Sequence, residues 1–218
     1  MTQRRAITER EVRQAARDGV RSVDVRGAVV TPSAKDAARA LKIELVAGSA
    51  AMQPASSLAN APAAESPRAS AISIAIGADH GGVALKEILL ARLRELGHKV
   101  IDLGTQGTEP VDYPDFAIAV AREVAAGRAQ AGIAVDGAGI GSCMAANKIR
   151  GIRAAMCHDV TTATNAREHN NANMLTLGGG LIGPRLAVAI METFIRTGFT
   201  GGRHAPRVAK IDALDDQR

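Results

Sequence analysis

Between residues 71 and 218, apolar strand-like runs alternate five times with helical patterns. Glycine-rich and polar clusters follow several of the runs, as in "GADHGG" and "DGAGIGS". A short charged segment precedes them, separated by a stretch of Ala, Ser and Pro. Together these predict an α/β protein, a Rossmann-like three-layer sandwich with a five-stranded parallel sheet, plus a small N-terminal αβ module.

Residues 1–46 form the module. "ITEREVRQAARDGV" sets Ile7, Val12, Ala15, Ala16 and Val20 near one helical stripe. Thr8 with Glu11 three residues on makes a capping-box pattern. "SVDV" reads as a short alternating strand. "TPSAKDAARALKI" opens a second helix, with Thr31 as N-cap and Pro32 at the first helical position. "IELV" is a last strand. Such a module is too short to bury much core alone and is expected to pack on something else. Residues 47–70 read as a flexible linker. Residues 71–218 then carry the five βα units. "AISIAIG" leads into "GGVALKEILLARLRELG", "HKVIDLG" into "PDFAIAVAREVAAG", and "AGIAVDG" into "SCMAANKI". "IRAAMC" leads into "VTTATNAREHN" and "NMLTLGG" into "GPRLAVAIMETFIRTG".

Composition narrows the function. The 218 residues allow one well-buried domain and a small extra piece. No apolar run approaches the ~18 residues of a membrane span. The charged start "MTQRRAITEREVRQ" has no apolar signal core, so a cytoplasmic protein with no membrane partner is expected. Cys143 and Cys157 form no CxxC pair, against a disulfide framework or a zinc ribbon. One Tyr, three Phe and no Trp leave nothing for base stacking, so nucleic acid is not an expected partner. The net charge is +5, with ten Lys/Arg against six Asp/Glu in residues 1–46 and sixteen against fifteen in 71–218. The basic excess belongs to the N-terminal module, where alternating charges read as a solvated helix face.

Ligands of open parallel sheets bind outside the C-terminal ends of the strands, and the polar clusters are read as lying there. After the first strand come Asp79 and His80, and after the third comes "DGAGIGS". "REHNNAN" holds His169, Asn170 and Asn171, and "GGRHAPRV" holds Arg203, His204 and Arg207. The glycine turn has no GK[ST] and sits after the wrong strand for a dinucleotide fingerprint. Its amides face a helix N-terminus, which suits an oxyanion or a phosphate, although a tight turn without ligand reads the same way. Asp136 at its mouth is a base, a repellent of anions or a turn residue. Arg203 and Arg207 share a face if helical and suit phosphate, or they open a solvated helix. His169 beside two asparagines is unusual for a surface loop, the alternative being a cap or a core histidine. His98 and His158 have no companions and read as structural or exposed. No His/Cys/Glu spacing makes a metal site, so no metal or cofactor is expected.

In this order the motifs "GADHGG", "DYPDFA", "GAGIGSCMAANK", "GIRAAMC", "REHNNANMLTLGG" and "GGRHAPRV" resemble the type B ribose-5-phosphate isomerases and the two-subunit galactose-6-phosphate isomerases, over about residues 71–212. The resemblance implies a metal-free aldose–ketose isomerase acting on a phosphorylated sugar, most often ribose 5-phosphate. It also implies a homo-oligomer, dimer or tetramer, with active sites between subunits. On the matching positions it gives sugar or phosphate contacts to Asp79 and His80, with Tyr113 near the pocket. It gives ring opening to His169 with Asn170 beside it, and phosphate binding to Arg203 and Arg207 with His204 near them.

Isomerisation moves a proton between C1 and C2 through an enediolate, so it needs a base and oxyanion donors. The amides of Gly137, Gly139 and Gly141 are the expected donors. One branch of the family has a cysteine base at the position of Asp136, with Thr or Ser where this chain has Ala138. Another has a glutamate at the position of Ser142. One galactose-6-phosphate isomerase subunit carries aspartate at the Asp136 position, and its partner subunit supplies the cysteine. Asp136 is therefore the expected base, on condition that burial raises its pKa from about 3.9 toward neutrality. The alternatives are a different substrate handled by another base, and a non-catalytic or partner-dependent sugar-phosphate-binding subunit. "GAVVTPSAKDAARALKIELV" is similar to N-terminal modules of enzymes associated with bacterial microcompartments, which implies recruitment to a shell or a companion enzyme. An extra packing element is the other reading of the same residues.

Overall fold

The computed structural model describes residues 5–46 and 71–217, so the expected linker lies outside the described residues. These two stretches belong to separate compact units. The first runs β1 (Ala6–Ile7), α1 (Glu9–Arg17), β2 (Ser22–Asp24), β3 (Val29–Val30), α2 (Pro32–Leu41) and β4 (Glu44–Val46). The Thr8 amide donates to Glu11 at 2.8 Å, and Thr31 Oγ1 accepts from the Ala34 amide at 3.2 Å with Pro32 opening the helix. The pairs β1–β3 and β2–β4 are parallel. At two residues each, β1 and β3 are too short to show an alternation. Because α1 stops at Arg17, Val20 falls beyond the expected stripe and is exposed. The core is Ile7, Val12, Ala34, Ala37, Ala38 and Ile43, small as the unit's length dictates.

The second unit continues with β5 (Ser73–Ala78), α3 (Val83–Glu95), β6 (Lys99–Asp102), α4 (Tyr113–Ala125) and β7 (Ala131–Asp136). Then come α5 (Ile140–Ala146), β8 (Ala154–Met156), α6 (Val160–Glu168), β9 (Met174–Gly178), α7 (Pro184–Arg196) and α8 (Ala205–Asp212). A 3-10 turn, Gly202–His204, leads into α8. The five strands are all parallel in the order β6-β5-β7-β9-β8. The strand period of two sends Ile74, Ile76, Ile133, Val135, Leu175 and Leu177 to one face, against Leu85, Leu89 and Leu93 of α3, Ala163 of α6 and Ile190 of α7. Ala75, Ala134 and Met174 face Ala117, Val120 and Val124 of α4 and Ala146 of α5. This is the expected three-layer sandwich.

From β5 the chain steps outward to β6, then returns past β5 to β7 on its other side. The direction reverses between β5 and β7, and a crevice opens at their C-terminal ends. Asp79 follows β5 and Asp136 ends β7, so both carboxylates flank that crevice.

Candidate active site

At the tip of β5 the backbone is clamped. The Asp79 amide donates to the Val135 carbonyl at 3.2 Å, and the Gly82 amide donates to Asp79 Oδ1 at 2.9 Å. Only glycine fits at 82, where a Cβ would stand 2.3 Å from the Val135 oxygen. Next to it, exposed His80 accepts the Val111 amide on Nδ1 at 3.2 Å, which leaves the proton of the neutral ring on Nε2. Tyr113 opens α4 and lies against the glycine turn: a Cβ on Gly141 would meet its ring atoms at 2.4–2.7 Å.

The turn itself holds an anion, and that anion is internal. Asp136 is 4% exposed. Its Oδ1 accepts the amides of Ala138, at 2.8 Å, and of Gly139. Its Oδ2 accepts the Ser142 amide at 3.0 Å and the Ser142 hydroxyl at 2.5 Å. A carboxylate has about four acceptor positions, and all four are filled. Gly139 reaches this arrangement with φ +80°, a backbone conformation that favours glycine. Burial pushes the Asp136 carboxyl up, but the Ser142 hydroxyl and the amides of Gly139, Ser142 and Ala138 outweigh it and hold it below the usual carboxylate range. The condition set for Asp136 as base, a raised pKa, is therefore not met. The expected oxyanion donors are corrected too: the Gly139 amide is committed to Asp136, while those of Gly137 and Gly141 have no acceptor among the described residues. Cys143 is turned away, its thiol donating to the Ala154 carbonyl at 3.4 Å.

A second cluster gathers the remaining expected residues. His169 follows α6, and its ring stacks on that of His204 at 4.2 Å and 7°. Asn165 Nδ2 meets His169 Nδ1 at 2.9 Å, and Asn170 Nδ2 reaches Asn165 Oδ1 at 3.2 Å. Arg203 Nε approaches His204 Nε2 at 3.4 Å. Thr200 joins the chain end to α6 by donating amide and hydroxyl to the Glu168 carbonyl, at 3.1 and 2.6 Å. Arg203 and Arg207 are both exposed, and His204 is buried beneath them.

This second cluster is not at the C-terminal strand ends, where the sequence reading put it. Helices of a parallel βα unit run back along the sheet, so a residue between α6 and β9 lies at the N-terminal end of the strands. The Asn173 amide bonds to Arg153 just before β8, which fixes the same end. The length of β9, five residues at about 3.3 Å each, separates the two clusters by roughly 15 Å. One chain therefore carries the two clusters on opposite ends of its sheet.

Sequence reasoning missed Lys86. It is fully buried, with Nζ 2.9 Å from both oxygens of Asp102 and 3.0 Å from Glu87. Asp102 also accepts the Gly104 amide at 3.1 Å, so the pair fastens the loop after β6 next to the tip of β5. A lysine one turn into an amphipathic helix gives no such signal. His98 is buried and accepts the Ile72 amide, a structural role, and His158 is exposed. A cavity of about 420 Å³ lies along edge strand β8 and touches neither Asp79 nor Asp136. Among the described residues no helix is long and apolar enough to cross a membrane, and no three His, Cys, Asp or Glu are grouped to hold a metal ion.

Residues 74–211 match the family described as Ribose/Galactose Isomerase. Ribose-5-phosphate isomerase B of Escherichia coli is 42% identical over 145 residues, 66% of this chain and 97% of that protein. D-erythrulose-4-phosphate isomerase of Pectobacterium atrosepticum is 43% identical over 148 residues, 67% of this chain and 97% of that protein. The structure of ribose-5-phosphate isomerase B from Clostridium thermocellum superposes with a TM-score of 0.66 and 46% identity, covering 67% of this chain and 99% of that one. A Mycoplasma genitalium ribose-5-phosphate isomerase B with bound ribulose-5-phosphate gives 0.65 and 38%, covering 67% and 97%.

Proposed function

The chain belongs to the ribose/galactose isomerase family, and from that membership we propose that it interconverts the aldose and ketose forms of a phosphorylated sugar, with ribose 5-phosphate and ribulose 5-phosphate as the pair. The observation that carries this is the division of labour between the two clusters. The crevice at β5 and β7 offers a carboxylate at Asp79, a protonated imidazole nitrogen at His80 and the Gly137 amide, the groups that proton transfer through an enediolate needs. The opposite end offers two exposed arginines and paired histidines, the groups that suit a phosphate and ring opening. A sugar phosphate needs both sets together. In our reading a homo-oligomer, dimer or tetramer, brings the arginine end of one copy onto the carboxylate end of another. Four relatives of the same fold, two of them solved structures, carry sugar-phosphate isomerase names, which supports the coarse reaction. The two substrates in those names differ in carbon number, so the sugar itself is tested directly.

The test is isomer formation, followed by NMR, from a panel of tetrose, pentose and hexose phosphates. Turnover fastest with ribose 5-phosphate is expected. Turnover confined to another sugar phosphate would reassign the substrate, and binding without turnover of any would favour a non-catalytic subunit. The saturated Asp136 carboxylate is the one observation that favours this second reading.

For the N-terminal module, residues 1–46, we propose recruitment of the enzyme to a microcompartment shell or a companion enzyme. A capped unit with a core of its own suits such an adaptor. Comparing cell fractions with and without residues 1–70 tests it, and identical distribution would remove the idea.

A further inference from the structure

An isomerase of this kind needs a base beside an oxyanion donor, and the crevice contains few candidates. Asp136 has no vacant acceptor position. The Ser142 hydroxyl is 2% exposed and spent on Asp136. The Cys143 thiol points at the Ala154 carbonyl. His80 has its unprotonated nitrogen engaged by Val111, which leaves its other ring nitrogen an N–H donor. Tyr113 carries a phenol, which offers an O–H donor.

Asp79 differs from all of these. Its Oδ1 accepts one side-chain bond, from the Gly82 amide. Its Oδ2 has no partner among the described residues, and no fully buried side-chain oxygen there lacks one, so Oδ2 is not sealed from solvent although the residue as a whole is 8% exposed. The carboxylate is held by a clamped backbone, its amide on Val135 and its carbonyl on the Gly82 amide at 3.0 Å. Gly81 lies between that carboxylate and the glycine turn, and a Cβ added to it would touch both. That Cβ would lie 3.4 Å from Asp79 Oδ1 and 3.7 Å from both the amide nitrogen and the Cα of Gly137. A carboxylate and an unengaged backbone amide therefore flank the same glycine, the pairing of base and oxyanion donor that the reaction needs.

Resting on the isomerase reading above, we propose that Asp79 is the base of this chain, with the Gly137 amide as oxyanion donor and Asp136 as the internal anion that locks the glycine turn. Asp79 removes the proton from C2 of the open-chain aldose. The C–H electron pair forms the C1=C2 double bond and the carbonyl pair moves onto O1, which the Gly137 amide stabilises. The protonated Asp79 returns the proton to C1, and the hydroxyl proton of O2 passes to O1. No oxidant or co-reactant enters.

The test is proton exchange in D₂O with ribose 5-phosphate and the same sugar panel, on the full-length protein and on Asp79→Asn. The amide oxygen of asparagine still accepts from Gly82, so the clamp is kept while the base is lost. The expected result is a fall in kcat of about 10³-fold, within the range for a lost general base, with KM changed less than about threefold and deuterium at neither C1 nor C2. Asp79→Ala supplies a second arm: added formate restores exchange in proportion to its concentration. Exchange by Asp79→Asn within tenfold of the wild type overturns the assignment and leaves the isomerase reading standing. If Asp79→Asn does not fold, Asp79→Ala without formate rescue overturns it in the same way. No exchange by the wild-type protein with any sugar of the panel overturns the isomerase reading itself.

Discussion

Ser142 donates both its amide and its hydroxyl to one oxygen of Asp136, at 3.0 and 2.5 Å, across the glycine turn. The turn is thereby closed on its own carboxylate. A motif that looks built to receive an anion from outside has one supplied by the chain.

Ser142→Ala keeps the amide bond and removes the hydroxyl bond to a charged acceptor. The expected loss is about 1.5–3 kcal/mol of stability. Urea denaturation should show a lower midpoint with an unchanged m value. A midpoint equal to the wild type would mean that the hydroxyl bond contributes nothing net.

Asp136 also sets a pH dependence. Its carboxyl lies below the ordinary range in the folded protein, so the folded state binds the proton less readily than the unfolded chain. The stabilisation is fully present above the unfolded pKa, about 3.9, and fades as pH falls through the folded value. In urea titrations between pH 7 and pH 2.5, the stability gap between the wild type and Asp136→Asn should hold steady down to about pH 4 and shrink below it. A gap that widens toward acid would give the shift the opposite sign.

Gly141 lies within α5, where alanine is the better helix former by about 1 kcal/mol. Its missing Cβ is nonetheless the space occupied by the Tyr113 ring. Gly141→Ala should therefore leave the melting temperature nearly unchanged while kcat/KM falls about tenfold or more as the ring is displaced. Steady-state kinetics beside a melting curve separates the two effects, and unaltered kcat/KM would place Tyr113 outside the pocket.

Much of the fold is legible in the sequence because each βα unit repeats one alternation, from "AISIAIG" to "GPRLAVAIMETFIRTG". The Thr31 cap is readable for the same local reason. The role of Asp136 is not, because it depends on where four donors point once Gly139 adopts a positive φ. The burial of Lys86 depends on Asp102, sixteen residues away on β6. The position of His169 was legible and misread: a residue after a helix and before a strand lies at the N-terminal end of the sheet, however catalytic its neighbours look.

In the proposed reading, that placement leaves each chain with two incomplete half-sites. Mixing two inactive variants tests it most directly. Asp79→Asn spoils the carboxylate end and Arg207→Ala the arginine end. If a site joins the ends of different copies, equal mixing after reversible dissociation frees about one site in four from both substitutions. The mixture should then recover about a quarter of wild-type activity, where each variant alone has almost none. A mixture no more active than the mean of the two variants, with mixed oligomers confirmed by mass, would contradict a site shared between copies.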